Sequence, residues 1–171
     1  MASRAEEAKR GDLYEEDFAA WVERQVGALR ALAASGAAPP DLDLPRLIEE
    51  VEELRRTEQR AVESHVVNII VHLLKLEHSP AGDPRRVWAG TVDLQRSELA
   101  NVLTRNLETH LEKRWQARYP IARGLAAPGL ARDGVRLDDL PERCPYTLDQ
   151  IKDPDWWPRN RHGLDPSGGH P

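Results

Sequence analysis

The sequence predicts an all-α protein: an antiparallel up-and-down four-helix bundle with a long second helix and a short helical or looped segment capping it at the C-terminal end. Three observations carry this. Apolar residues recur at spacings of three and four along most of the chain. Short Pro- and Gly-rich turns separate the periodic stretches, which favours antiparallel neighbours. The 171 residues, 40% apolar and 31% charged, suit one helical domain with a modest core and leave no run of about 20 apolar residues for a membrane span.

The first helix opens at Asp12, with Glu15 as its capping-box partner. Tyr14, Phe18, Trp21, Gln25, Ala28 or Leu29, and Leu32 line one face, and Gly36 with Pro39-Pro40 ends it. Asp43 caps the second helix, and Pro45 sits in its first turn, where a missing N–H costs nothing. Leu47, Ile48, Val51, Leu54, Ala61, Val62, Val66, Ile69, Leu73 and Leu76 form its stripe, and Ser79-Pro80 stops it. Its roughly 33 residues span about 50 Å. A third helix, from Arg85 to about Thr104, offers Val87, Trp88, Val92, Leu94, Leu99, Val102 and Leu103 to the core. A fourth, about Leu107 to Ala126, offers Leu111, Trp115, Tyr119, Ile121 and Leu125, and Pro120 should kink or interrupt it. Thr147 and Gln150 form a capping box for one or two helical turns that Asp153-Pro154 ends. The domain therefore covers 12–158, between a disordered N-terminus (1–11) and a disordered C-terminal tail (159–171) whose only core residue is Leu164.

Several of these segments match one another's order and spacing in a known family. They are Tyr14-Glu15-Glu16-Asp17-Phe18-Ala19-Ala20-Trp21, Leu47-Ile48-Glu49-Glu50-Val51-Glu52, His72-Leu73-Leu74-Lys75, and Cys144-Pro145-Tyr146-Thr147-Leu148-Asp149-Gln150-Ile151 with Asp155-Trp156-Trp157-Pro158. Over about 145 residues the chain resembles the bacterial domain-of-unknown-function family twenty-nine. The resemblance implies an all-α bundle and assigns no activity. The chain departs from the family at Thr104-Arg105-Asn106-Leu107, where the family's usual Pro is missing, and at Pro120, inserted into a Tyr119…Ala122-Arg123 pattern.

A net charge of −5 argues against a non-specific nucleic-acid or anionic-membrane binder. Met1 to Gly11 has no apolar leader and the single Cys allows no internal disulfide, so a cytoplasmic location is expected. Arg supplies 20 of the 24 cationic residues, which a GC-rich coding bias explains as well as function does.

Three constellations could carry chemistry. Arg60 with His65, and Arg105 with His110, repeat the Arg-x4-His spacing of metal-independent ribonucleases of the HEPN type, in which a base and a cation act on RNA phosphate. Chance supplies about 0.7 such pairs at this composition, and residues five apart on a helix diverge by about 140°. Glu58, His65 and His72 recur at seven-residue spacing beside the apolar stripe, but steps of about 10.5 Å are too long for one metal without ligands from another helix, such as His110, Glu108 or Asp93. The acidic run Glu49, Glu50, Glu52 and Glu53 reads as a solvated face near a helix N-terminus.

Charge is uneven: Asp41 to Glu63 carries eight acids and four bases, and Arg85 to Arg123 carries eight bases and four acids. Internal or inter-protomer complementarity is the expectation, with RNA on an Arg85, Arg86, Arg96, Arg114 and Arg118 side as the alternative. Trp156, Trp157, Arg85, Arg86 and Arg96 are the candidate interaction surface, with Trp156-Trp157 also able to cap the bundle. Cys144 reads as a packing residue. No cofactor is predicted. The sum favours a non-catalytic interaction or regulatory module, plausibly dimeric, with a protein partner or self-association ahead of nucleic acid. The ribonuclease and a metal-dependent bundle enzyme are the alternatives.

Overall fold

Proline, glycine and side-chain caps set most of the helix ends. A computed structural model describes residues 13, 14 and 16–165. The fold is all-α: α1 (Phe18–Ser35), α2 (Leu44–His78), α3 (Arg85–Val102) and α4 (Arg105–Arg132), then a 3₁₀ turn (Leu137–Asp139) and the short α5 (Leu148–Lys152). Among the described residues there is no strand. The chain divides into two compact units, Met1–Ala61 with Thr104–His110, and Val62–Leu103 with Leu111–Pro171.

The first unit holds α1, the front of α2 and the first turn of α4. Asp17 caps α1, accepting from Ala20 N–H at 2.9 Å. The predicted Asp12/Glu15 box and residues 1–11 lie outside the described residues. The other oxygen of the Asp17 carboxylate accepts from Asn106 N–H at 3.3 Å, so one anion serves the N-termini of two helices. Tyr14, Phe18 and Trp21 form a ring cluster with centroids 4.9–5.5 Å apart. Arg30 pairs with Glu52 and Glu23 with Arg55, an antiparallel register of α1 on α2. Gly36, at φ 67°, closes α1 where a side chain would be strained. The acidic run of α2 is exposed or paired to its own helix, Glu53 with Arg56 and Arg60.

The second unit is built around the back of α2, whose Val62, Val66, Ile69, Ile70, Leu73, Leu74 and Leu76 are fully buried. The contacts of α3 run antiparallel to α2 (His65 to Gln95, Lys75 beneath Trp88) and those of α4 run parallel (Glu63 to Arg118, Lys75 to Gly129). A side chain at Gly129 would meet the Lys75 stem at 3.3 Å, so the glycine permits this approach.

Two expectations change here. Pro120 does not interrupt α4, which runs through both Pro120 and Pro128. Both prolines face solvent, where water can satisfy the carbonyl each leaves free. Helix α3 buries only part of its expected stripe: Val92 and Leu99 are buried as expected, together with Arg85 and Arg96, while Val87, Leu94 and Val102 are exposed. Leu47, Leu54, Ile121 and Leu125 are likewise outside the core.

The cause of the buried arginines is the chain from 137 to 165. It is mostly irregular, so its backbone carbonyls need donors from elsewhere. Arg96 donates to the carbonyls of Ile151, Gln150 and Trp156, Arg123 to those of Leu137 and Leu140, Tyr119 to Pro141, and Arg85 to Asp165. Thr147 and Gln150 form the expected capping box on α5. Residues 159–165 are not a frayed tail: Asn160 is buried, while 166–171 lie outside the described residues.

Candidate functional site

A group of interacting ionisable side chains lies where α2 ends. Leu76, Glu77 and His78 form the last turn, and Ser79-Pro80 terminates it because proline lacks the N–H that the next turn needs. That leaves orphan carbonyls at the helix end. Asn160 satisfies them, donating to Leu76 O at 2.7 Å, Ser79 O at 3.0 Å and Glu77 O at 3.2 Å. Its own oxygen accepts from His162 and Leu164 N–H. Ser79, fully buried, donates to Asp133 at 2.6 Å.

Glu77 is the electrostatic centre. It accepts from the Tyr146 hydroxyl at 2.7 Å and lies 3.6 Å from Arg161 and 3.8 Å from His78 Nε2. Burial pushes the Tyr146 phenol well above its usual range, and the Glu77 charge pushes it further. Burial, then Cys144 and Glu77, raise Tyr119 to about 12 against a smaller opposing effect of Arg123. Burial also raises the Cys144 thiol to about 11, with Glu77 adding to it and the Tyr146 backbone N–H opposing. His78 is driven towards its neutral form by burial, with Glu77 opposing. At neutral pH the cluster holds a neutral thiol, two neutral phenols and a neutral imidazole around one paired carboxylate. A thiol held protonated is a poor nucleophile. The arrangement fastens the C-terminal segment to the end of α2.

The positions singled out from sequence fall elsewhere. His65 Nδ1 meets Gln95 Oε1 at 2.9 Å, and His72 donates from Nδ1 to Asn68 O of its own helix at 2.9 Å. Burial lowers the His72 pKa, so its ring stays neutral. Glu58 lies in the other unit, its carboxyl raised by burial and then by Asp17. Among the described residues no three His, Cys, Asp or Glu side chains gather as a metal would require. Arg60 is bound to Glu53 and Thr57, and Arg105 is exposed at the head of α4 with His110 more than one turn on. Of the acidic front of α2, Glu63 meets the basic segment, at Arg118, while Glu52 and Glu53 pair with Arg30, Arg56 and Arg60.

The expected interaction surface also dissolves in part. Arg85 and Arg96 are 0% and 4% exposed, so neither belongs to a basic patch, while Arg86 is exposed. Trp156 and Trp157 are half-buried: Trp156 packs edge-on against Tyr146, and Trp157 lies 5.0 Å from the Arg96 guanidinium. Sequence reasoning missed Glu77 and Asn160, and it named Arg85 and Arg96 as surface residues where they are donors to buried carbonyls. A signal for Arg96 was present, since it shares a helix face with Val92 and Leu99.

A long apolar helix end held by a Cys-Pro-Tyr-Thr-Leu segment defines an all-α protein whose C-terminal chain is locked by polar side chains. The chain belongs to the family described as Domain of unknown function DUF29, whose model matches residues 13–157. It is similar to the crystal structure of an alpha-helical protein of unknown function from Rhodospirillum rubrum, at 28% identity and a TM-score of 0.71, over 84% of this chain and 90% of that one. Comparison with curated proteins finds no match. Among the described residues no helix is long and apolar enough to cross a membrane.

Proposed function

We propose that this protein is a non-catalytic interaction module that works by self-association through the outer face of α3. The supporting observation is the self-complementarity of that face. Val87 and Leu94, two turns apart on one side of the helix, are 70% and 56% exposed. Gly90 lies between them with open space where a side chain would be, although glycine in a helix interior costs about 1 kcal/mol relative to alanine. Arg86 and Asp93, opposite in sign and seven residues apart, share one edge of the face. If two copies cross antiparallel at Gly90, Arg86 of each meets Asp93 of the other, the isologous pattern of a two-fold dimer. The glycine lets the backbones approach while Val87 and Leu94 are covered. Neutral cluster chemistry at the end of α2 is in keeping with a module that binds without catalysing. We assign the protein to the cytoplasm, since its half-buried, protonated Cys144 calls for no oxidising compartment.

Light scattering after size exclusion tests this. Wild type is expected to dimerise as concentration rises, Leu94→Glu to stay monomeric, and Arg86→Asp and Asp93→Arg each to weaken the dimer. The double variant Arg86→Asp/Asp93→Arg restores the charge pair and is expected to recover it. A wild type that is monomeric at every concentration overturns the proposal, as does a double variant no better than the singles.

A further inference from the structure

Arg85 is the first residue of α3 and is completely buried. Its Nε donates to the main-chain oxygen of Asp165 at 2.7 Å, and neither Nη1 nor Nη2 has a partner among the described residues. A buried guanidinium with two of its three nitrogens unpaired is costly, because desolvation penalises the charge and nothing returns the lost hydrogen bonds. Desolvation is the main influence on its charged form, and Asp165 opposes it only in part. A structural arginine that only held the Asp165 carbonyl would leave this cost uncompensated. An arginine kept to bind something else would not.

The surroundings indicate the chemistry. The paired Nη1 and Nη2 are a planar fork suited to two oxygens of one anion. Helix α3 opens with no side-chain cap on its first turn, and Gly82 O takes only the Arg85 N–H, so the positive dipole end lies at the head of the helix that carries Arg85. Residues 157–165 line a surface cavity of about 360 Å³ with Trp157, Arg159, Asn160 and Asp165 among its walls. Asp165 belongs both to that wall and to the bond on Arg85 Nε. Arg159, exposed at the cavity, brings a second cation. Arg85 is not itself a wall residue, and Asp165 is what joins it to the cavity.

From these features we infer that Arg85 anchors an oxyanion site of the phosphate class under the 157–165 strap. The anion enters from the cavity as the Asp165 end of the strap gives way, and it is held by the Nη1/Nη2 fork with the first turn of α3. This site lies on the buried face of α3 and does not depend on self-association through the outer face.

The test uses the full chain and inorganic phosphate. Calorimetric titration and thermal shift are run with sodium phosphate, sodium acetate and sodium chloride at matched ionic strength. Phosphate is expected to bind and to raise the melting temperature, with chloride inert and acetate much weaker. Arg85→Lys, which keeps the charge and loses the fork, is expected to weaken phosphate binding at least tenfold, while Arg86→Met keeps it. Should Arg85→Lys fail to fold, the wild-type Arg85 Nε–H resonance provides the readout and is expected to shift on phosphate addition. No preference of wild type for phosphate over chloride, an unmoved resonance, or undiminished binding by folded Arg85→Lys overturns the proposal. Equal effects of acetate overturn the phosphate class.

Discussion

Removing the Asn160 side chain strips the end of α2 of its cap from a distance of more than 80 residues. Asn160→Ala leaves the carbonyls of Leu76 and Ser79 buried without their donor, whereas Glu77 O keeps the Arg161 N–H at 2.9 Å. At about 1–3 kcal/mol for each of the two stranded buried acceptors, the loss is about 2–6 kcal/mol. For a chain of this size that is a fall in melting temperature of about 4–24 °C. Asn160→Asp is the sharper probe, because it keeps the volume and the oxygen that accepts from His162 and Leu164. It replaces the donating amide with an oxygen facing three carbonyls. It is therefore expected to lose at least as much stability as the alanine variant, with partial recovery in acid as the carboxyl gains a proton to donate. Circular dichroism at 222 nm follows the melt, and limited proteolysis reports cleavage after residue 153. An Asn160→Asp protein melting within about 1 °C of wild type would show that Asn160 acts by volume alone and would refute the capping argument.

Four other outcomes are expected. Cys144, with its thiol at about 11, should react with iodoacetamide at pH 8 at least about 100-fold more slowly than glutathione, as mass spectrometry can time. Two of the three tyrosines, Tyr119 and Tyr146, should remain un-ionised at pH 10.5 in a 295 nm titration; their raised values mean that stability falls as pH rises from about 10 through about 12, where the unfolded chain ionises first. Burial lowers the His72 pKa, so its stabilising contribution is present above about 6.5 and lost as pH falls below it; His72→Gln should flatten the melting-temperature profile below about pH 6.5. Arg96→Lys keeps a charge but not the fork that reaches Ile151, Gln150 and Trp156, and should cost about 2–4 kcal/mol and expose the strap to protease.

What could be read from the sequence was the chemistry that acts over a few residues. Gly36, Asp43, Pro45, Ser79-Pro80 and the Thr147–Gln150 box each mark a helix end through a bond or dihedral made within one turn. The apolar back half of α2 was legible for the same reason, since its periodicity reports its burial directly. Pro120 misled because the local rule names the lost bond and not the side of the helix on which it is lost. Glu77 and Asn160 were illegible because their roles are defined by partners 69 and more residues away. A carboxylate one turn from a helix end looks the same whether it meets water or a tyrosine.

The arginines of α3 show what separates the two cases. An apolar stripe can bury against any apolar surface, but it cannot satisfy an irregular backbone lying on top of it. Arginine can, since its methylene stem packs as an apolar chain and its five donors reach several carbonyls at once. Where the 137–165 segment crosses α3, the helix therefore spends its inward positions on donors at 85 and 96, with Val92 and Leu99 filling the space around them. Val87 and Leu94 then belong to a separate outward face, and their exposure needs its own cause. Arg85 and Arg96 differ in turn: Arg96 spends Nε and Nη2 on three carbonyls and leaves only Nη1 without a partner among the described residues, while Arg85 spends Nε alone and leaves both Nη1 and Nη2. If both were simply donors to the strap, Arg85 would turn an Nη to it as Arg96 does. The contrast between two guanidiniums on one buried helix face is what separates a structural arginine from one that binds a ligand.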